Sequence, residues 1–455
     1  MGAYVEYAKG GTDFRTKGTI SCWVKRGELG RQQYVWGWGE NNSSDCYLRF
    51  DAADNLEMHC DGADGTFNST ELYRDVHGWY HIVFSLDGSN ATANLRRRLW
   101  VNGVQIDEGK GGISAFSAAV LGWHSTQDLW IGANPRQQQS SGHQYFNGLI
   151  SHFHYCSNYS YAASDFGSFD SDTGEWKLKT NPNVNYGSEG FFLKFEDGSN
   201  LDLDSSGNNK TLTTTGTISS TKDNPSNIFC TMNPLQKPFA TNDITFENAN
   251  TRVYGNNNDW LRSYGTLGAN KGKWWYELYI GTADTSGRIG WDSIDRINYG
   301  ADNYYSGLTI QQGTGAVRGG IDGTAAYSPD AVQLPADGGG SATFSQGDYL
   351  GMGIDLDNNT ITIHKNGTAL ATNWSYNSYN SSCKANTYGT FVSPSVNWYS
   401  NSGNQNIYDF NFGNGKFGSS AALTGTTYTD SNNQGVFKYQ PPTNYLAWCT
   451  KNLNI

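Results

Sequence analysis

Four sets of side chains in this 455-residue sequence have the types and spacing to do chemistry. His152 and His154 stand two apart, so on a strand both imidazoles would point to one face and could ligate one metal, although no third ligand can be named. The plainer reading is a partly exposed pair near a strand end. Asp202, Asp204 and Asn208 are close enough to converge at a loop and offer oxygens, the donors that a hard cation such as calcium takes. The alternative is that Asp204-Ser205-Ser206-Gly207-Asn208 only closes an Asx-type turn. Trp36 and Trp38 flank Gly37 at alternate positions, and Tyr304-Tyr305 sit in an Asn-rich loop over 299–307. If exposed, such rings stack on sugars while neighbouring Asn and Asp accept hydroxyl hydrogens; the alternative for the tryptophans is a sandwich core.

Carboxylates are the remaining candidates for chemistry. Retaining glycoside hydrolysis needs two of them about 5–5.5 Å apart. Glu277 stands alone on its strand, and Asp355 and Asp357 share a face with no Glu beside them, so no catalytic residue is expected. The sequence has no G-x-S-x-G, no H-E-x-x-H and no phosphate-cradling glycine loop. Its seven cysteines (Cys22, Cys46, Cys60, Cys156, Cys230, Cys383, Cys449) are scattered without a C-x-x-C. They predict mainly reduced thiols, several as small core hydrophobes, with Cys46–Cys60 the one pairing that a hairpin would allow.

The elements that must position these groups are strands. Gly numbers 55 against 10 Pro, only 16% of residues are charged, and 28 Tyr, 21 Phe and 15 Trp supply cores. That composition suits short strands joined by tight turns and argues against a helical bundle, a βαβ enzyme or disorder. The formal charge of −11 disfavours nucleic acid, because polyanion binding needs a dense basic face and the one compact cluster is Arg96-Arg97-Arg98, expected on the solvated edge of a hairpin. No run approaches the roughly 18 apolar residues of a membrane span. No basic-then-apolar signal peptide opens the sequence, and Glu6 occupies the position where myristoylation after Met1-Gly2 requires Ser or Thr.

Residues 19–155 alternate apolar and polar in a series of strands: Thr19–Val24, Gln33–Trp36, Cys46–Phe50, Asn55–Cys60, Trp79–Ser85, Arg97–Val101, Leu129–Gly132 and Phe146–Ile150. Asn102-Gly103 is a strong two-residue hairpin signal. The order TISCWVKRG, GWYHIVFS, LWVNGV, LWIGA, FNGLISHFHYC resembles the laminin G-like, concanavalin A-like jelly roll of lectin-like modules. That resemblance implies an antiparallel sandwich over 1–156 and makes loop-bound calcium an expectation at Asp202, Asp204 and Asn208. It also raises glucanase activity, but the E-x-D-x-E-like run that such glucanases carry is missing.

Residues 157–238 are rich in Ser, Asp, Asn and Thr and read as an irregular connector, with a short helix at Tyr161–Phe166 and a strand at Gly190–Phe195 that completes the first sandwich or bridges to the next. From 239 to 418 the motifs Lys273-Trp274-Trp275-Tyr276-Glu277, Gly347-Asp348-Tyr349-Leu350-Gly351, Asp355-Leu356-Asp357, Lys365-Asn366-Gly367 and Phe410-Asn411-Phe412-Gly413 closely resemble a SPRY domain, which implies a second β-sandwich that binds partners through edge loops such as the one holding Tyr304 and Tyr305. In the extension 419–455, Pro441-Pro442 holds the chain extended and Tyr445-Leu446-Ala447-Trp448 needs a cover, either the SPRY-like domain or a neighbouring protein.

The segments flanking this domain, Asn233-Pro234-Leu235 and Ala447 to Leu453, resemble those in virion proteins of marine bacteriophages, with Trp448 departing from the usual A-L-C-T-K-N-L ending. The resemblance implies an all-β, non-enzymatic virion protein, assembled in the host cytoplasm as an oligomer on the particle. Its partners would be other virion proteins and a host-surface glycan or protein, with no nucleic acid and no membrane insertion. It would need no cofactor, with calcium the one optional ion. The alternatives are a carbohydrate-binding protein or glucanase-like enzyme, and a purely architectural capsid or tail component.

Overall fold

Alternating β-branched, aromatic and small polar residues between turns of positive φ make this chain a set of antiparallel sheets, as its composition predicts. The structure, a computed structural model, describes residues 2–8, 16–39, 45–60, 66–106, 128–135, 144–235, 244–255, 260–282, 287–293, 307–318, 332–376, 391–399, 406–418, 423 and 425–453. The chain divides into two units, Met1–Ser220 and Thr221–Ile455. Among the described residues no helix is long and apolar enough to cross a membrane.

In the first unit most of the described strands form two large sheets. One runs Thr213–Thr215, Tyr4–Tyr7, Leu129–Ile131, Gln33–Trp38, Cys46–Phe50, Asn55–Cys60, Thr66–Leu72; the other runs Phe191–Leu193, Gly148–Ser157, Lys17–Arg26, Tyr80–Asp87, Arg97–Val101, Val104–Gln105. Their facing sides share one core, in which Trp36, Trp38, Leu48, Phe50 and Met58 meet Ile20, Val24, Phe84, Leu99, Phe153 and Phe191. Asn102 and Gly103 both take positive φ, as a two-residue hairpin turn demands.

The segment expected to be a connector from 157 to 238 splits at Ser220, and its first part belongs to this sandwich. Phe191–Leu193 extends one sheet beside Gly148–Ser157, and Thr213–Thr215 extends the other beside Tyr4–Tyr7. Between them, the single helical turn Ala163–Phe166 and the hairpin Gly167–Phe169 with Trp176–Leu178 lie on the outer face of the six-stranded sheet. There Ala163 and Phe166 pack against Val83, Trp100 and Cys156. The expected helix is thus one turn, with the Asp165 carboxylate accepting the Ala162 N–H at 2.8 Å. Arg97 corrects the solvated basic triplet, since it is buried, and Arg98 lies over the Trp100 ring at 5.0 Å.

In the second unit the described strands run Thr245–Glu247, Arg252–Gly255, Asn406–Asn411, Lys273–Thr282, Tyr349–Asp355, Thr360–Lys365, Thr368–Ser375 in one sheet. They run Trp260–Tyr264, Val392–Tyr399, Arg288–Ser293, Leu308–Gln311, Ala316–Arg318, Val332–Gln333 in the other. The apolar tail is covered by its own unit. Leu446–Ala447 pairs in parallel with Trp274 and Trp275, and Trp448 is buried 5.0 Å from the Trp274 ring. Asp430 ties this arrangement from within by accepting the N–H groups of Gln434 (2.7 Å), Gly435 (2.9 Å) and Ala447 (3.0 Å) and the Asn452 amide (2.8 Å). A neighbouring protein is therefore not needed to hide this apolar stretch.

The expectation of unpaired thiols fails at one point. Cys46 and Cys60 are direct cross-strand partners and form a disulfide closing a 14-residue separation. Cys22, Cys156, Cys230 and Cys449 are buried and carry no disulfide, and Cys383 lies outside the described residues. A loop of this size constrains the unfolded chain by about 3 kcal/mol. Reductant, or the double substitution Cys46→Ser and Cys60→Ser, should lower the melting temperature of the first unit by several degrees. Coincident melting curves with and without reductant would contradict the bond.

Candidate functional site

Strand alternation puts an unusual set of residues on the outward face of the seven-stranded sheet. Cys46, Leu48 and Phe50 point into the core, so Tyr47 and Arg49 point out; Leu56, Met58 and Cys60 point in, so Glu57 and His59 point out. The register sets Tyr47 directly across from His59 and Gly37, and Arg49 across from Glu57 and Tyr34. The result is a bonded grid. The Arg49 guanidinium donates to Glu57 Oε2 at 3.0 Å and to the Tyr34 hydroxyl at 2.8 Å, while the Tyr47 hydroxyl donates to Glu57 Oε1 at 2.7 Å. Arg49 lies 5.0 Å over the Tyr47 ring, and His59 stacks on its plane at 5.1 Å. Gly37 permits this packing, since a Cβ there would stand 3.0 Å from Asn134 and 3.2 Å from Tyr47.

Burial pushes the Tyr47 hydroxyl far above its ordinary value, and its hydrogen bond to Glu57 pushes the same way. Burial works against the Arg49 charge, but Tyr34 and Glu57 outweigh it and hold that group above its usual range. The phenol and the guanidinium therefore stay protonated, as fixed donors. On the same face, Trp130 faces Gly37 and Glu6 across the ladder and stacks on Tyr4 at 3.9 Å. The Glu6 carboxyl is raised by burial and by the neighbouring Asp128. Flat rings beside fixed charged donors and acceptors can hold a ring-shaped polar ligand by stacking and directed hydrogen bonds.

The residues singled out from sequence fall elsewhere. Trp36 and Trp38 do share a face, but it is the inner one. They stack on each other at 5.3 Å and are almost wholly buried, because their parity in the ladder is that of Leu48 and Met58. They form core and cannot meet a sugar. Tyr304 and Tyr305 lie outside the described residues. Asp204 acts as a turn acceptor: it takes the N–H groups of Phe192 (3.0 Å), Ser206 (2.8 Å) and Lys210 (2.9 Å) and the Ser206 hydroxyl (3.0 Å). Asn208 aims its amide N–H at the Gly187 and Gly190 carbonyls, and Asp202 accepts from the Thr214 hydroxyl at 3.3 Å. This is the Asx-type turn, and it fastens the strand Phe191–Leu193. Among the described residues no three His, Cys, Asp or Glu side chains group as a metal site. The signal that would have exposed the Tyr34–Tyr47–Arg49–Glu57 set was present in the sequence, as aromatic and charged residues at the non-core parity of adjacent strands.

Glu277, alone on its strand, is buried under the tail. It accepts the Lys438 and Tyr439 N–H groups, each at 2.8 Å, and the Asn411 amide at 3.0 Å. Burial pushes its carboxyl up to about 7 against these donors. Its oxygens are engaged by the protein itself, so this carboxyl is a clasp for the tail.

Residues 2–165 match the family described as the Concanavalin A-like lectin/glucanases superfamily. Among solved structures the chain is similar to a putative carbohydrate binding protein from Bacteroides ovatus (15% identity, 48% of this chain and 56% of that one, TM-score 0.34). It is also similar to the SPRY domain of human HERC1 (15% identity, 39% and 96%, TM-score 0.26). A third likeness is to a SAP-like pentraxin from Limulus polyphemus (11% identity, 47% and 88%, TM-score 0.28). The chain spans little more than half the length of the Bacteroides protein. No curated protein matches the chain.

The expected histidine pair belongs to a larger buried group. The ladder shifts between Ser151 and His154, and His152 takes a φ of +46°, so the simple two-residue alternation breaks there. His152 Nδ1 meets the Ser151 hydroxyl at 2.7 Å, while His154 stacks on Phe192 at 3.9 Å and meets the Tyr186 hydroxyl at 2.9 Å. His81 lies between Trp23 and Trp176, at 4.7 and 5.9 Å. Trp176 Nε1–H can only donate, so His81 Nδ1 accepts it at 2.9 Å and its proton sits on Nε2, facing Ser21 Oγ at 2.8 Å. Burial lowers His81 to about 3 and His152 to about 4, and holds His154 well below its ordinary value. The folded protein keeps all three neutral, whereas the unfolded chain takes protons below about 6.5. Stability of the first unit should be flat above that pH and fall as pH drops toward 4, by up to about 1.4 kcal/mol per unit per histidine. Urea midpoints measured between pH 8 and 4.5 test this; a profile flat to pH 4.5 would contradict it.

Proposed function

We propose that this chain is a non-enzymatic, glycan-binding virion protein whose first unit recognises a host-surface glycan through the outward face of its seven-stranded sheet. The observation that carries the reading is the Tyr34–Tyr47–Arg49–Glu57–His59 grid, an aromatic and charged cluster on the sheet face turned away from the core, in which Tyr34, Tyr47 and Glu57 are buried and Arg49 and His59 are the half-buried members a ligand would meet. The match of residues 2–165 to a lectin and glucanase superfamily supports saccharide as the ligand class. Glu57 is buried with both oxygens engaged by Arg49 and Tyr47, which suits a residue that positions Arg49 and the Tyr47 ring better than a catalytic acid or nucleophile. The virion setting is supported by the likeness of the flanking segments 233–235 and 447–453 to those of phage particle proteins, and the second unit would dock on other virion proteins.

A glycan panel read with the full chain tests the proposal. Losing one ring contact is worth about 0.5–1.5 kcal/mol, and 1.4 kcal/mol is tenfold in affinity. His59→Ala, which removes a ring, and Tyr47→Phe, which removes the hydroxyl that donates to Glu57, should each weaken the best panel glycan by several-fold to tenfold while the first unit stays folded. Affinity unchanged in both variants would contradict the site. Antibody against residues 1–220 should label intact phage particles; signal confined to the unassembled fraction of a lysate would contradict the virion role.

A further inference from the structure

We infer that the outward face of the eight-stranded sheet in the second unit holds a binding site for an anionic pyranose, formed by Tyr279, Tyr349, Tyr439 and Lys438. Tyr279 and Tyr349 are direct cross-strand partners, with ring centroids 4.7 Å apart at 37°. Tyr439 reaches the same place from the tail, its ring 6.1 Å from that of Tyr349. All three are half-buried. Each ring is also fixed in place. Phe417 meets Tyr349 edge-on at 5.1 Å. Tyr439 is pinned by its N–H to Glu277 and lies against the bare backbone of Gly367, where a Cβ would come within 2.5 Å of the ring. The rings are therefore ordered before any ligand arrives, which lowers the entropic cost of binding.

Two features point to a ligand. Among the described residues the three phenol hydroxyls have no hydrogen-bond partner, whereas other tyrosines of this unit spend theirs internally: Tyr276 on the Gly290 carbonyl, Tyr254 on Glu247 and Tyr445 on Thr362. Lys438 stands with its ammonium 5.0 Å over the Tyr349 ring and 5.5 Å over that of Tyr439; it feels the buried Glu277 carboxyl at longer range but makes no ion pair among the described residues. Two other cations of this sheet, by contrast, are paired, Lys365 with Asp348 at 3.0 Å and Arg252 with Asp409 at 2.6 Å. Flat rings with unspent hydroxyls suit the C–H face and hydroxyl edge of a pyranose, and an uncommitted ammonium beside them suits a carboxylate or sulfate on that sugar. A neutral sugar would leave Lys438 unmatched, and a small inorganic anion would leave the rings unused.

This site lies in the other unit and stands independently of the grid around Tyr47. Calorimetry on the full chain with tetragalacturonate, a sulfated carrageenan tetrasaccharide and neutral cellotetraose tests it. At least one anionic tetrasaccharide should bind, weaken with added salt, and lose tenfold or more in affinity in both Lys438→Gln and Tyr349→Ala. Lys438→Arg should restore most of the binding, and melting temperatures should confirm that Lys438→Gln folds normally. Binding of carboxylated or sulfated ligand alone identifies the anion. Failure of both to bind, or equal binding by wild type and Lys438→Gln, overturns the inference. Loss in Tyr47→Phe with retention in Lys438→Gln would place the sugar in the first unit and overturns it as well.

Discussion

Alternation along the strand is the constraint on which everything else here depends. In each unit two sheets face each other, so half of every strand is committed to a shared apolar core and the other half faces away from it, toward covering segments or a ligand. A displacement of one position exchanges the two fates. Trp36 and Trp38 fall on the committed half, and the largest rings of their strand fill the sandwich. Tyr47, Arg49, Glu57 and His59 fall on the other half, where register brings them together as a bonded grid. The same rule leaves Tyr279 and Tyr349 outward in the second unit.

Long irregular segments are held to these sheets by a few carboxylates, Asp54, Asp430 and Glu277 buried and Asp204 half-buried. Asp54 accepts the Gly30 N–H and the guanidinium groups of Arg26 and Arg74, at 2.8 to 3.0 Å. Asp204, Asp430 and Glu277 gather backbone N–H groups in the same way. A buried carboxylate is costly unless several donors surround it, and removing one leaves those donors unsatisfied, so each such node fixes a loop in a single arrangement. In a chain with so few charged residues this use of acids is economical, and Asp204, expected as a loop oxygen donor, takes its part in it as a turn acceptor. The histidines follow a related logic, with imidazoles kept neutral by burial and joined to Trp176, Tyr186 and Ser21.

Much of the fold was legible in the sequence, because period-two alternation and Asn-Gly turns are local signals. The strands around Cys22, Cys46, Met58 and Phe84 and the turn at Asn102-Gly103 could be placed from those signals alone. What was not legible depended on which face is inward and on partners far apart in sequence. The pairing of Thr213–Thr215 with Tyr4–Tyr7 spans most of the unit, and nothing local announces it. Orientation of the Trp36 face is decided by neighbours in other strands. The Cys46–Cys60 bond was visible only as one geometric option, since a cross-strand pair is set by register. The break at His152 defeated simple alternation, because a residue in a left-handed conformation inside a strand has no sequence signature when it is not glycine.

The central claim is that recognition uses the outward parity of the first unit's seven-stranded sheet. A crystal structure of the full chain with the best-binding panel glycan tests it most directly. The account predicts a sugar ring lying against the Tyr47 and His59 rings, with its hydroxyls bonded to Arg49 or Glu57. A glycan held elsewhere on the first unit, with this face empty, would contradict it.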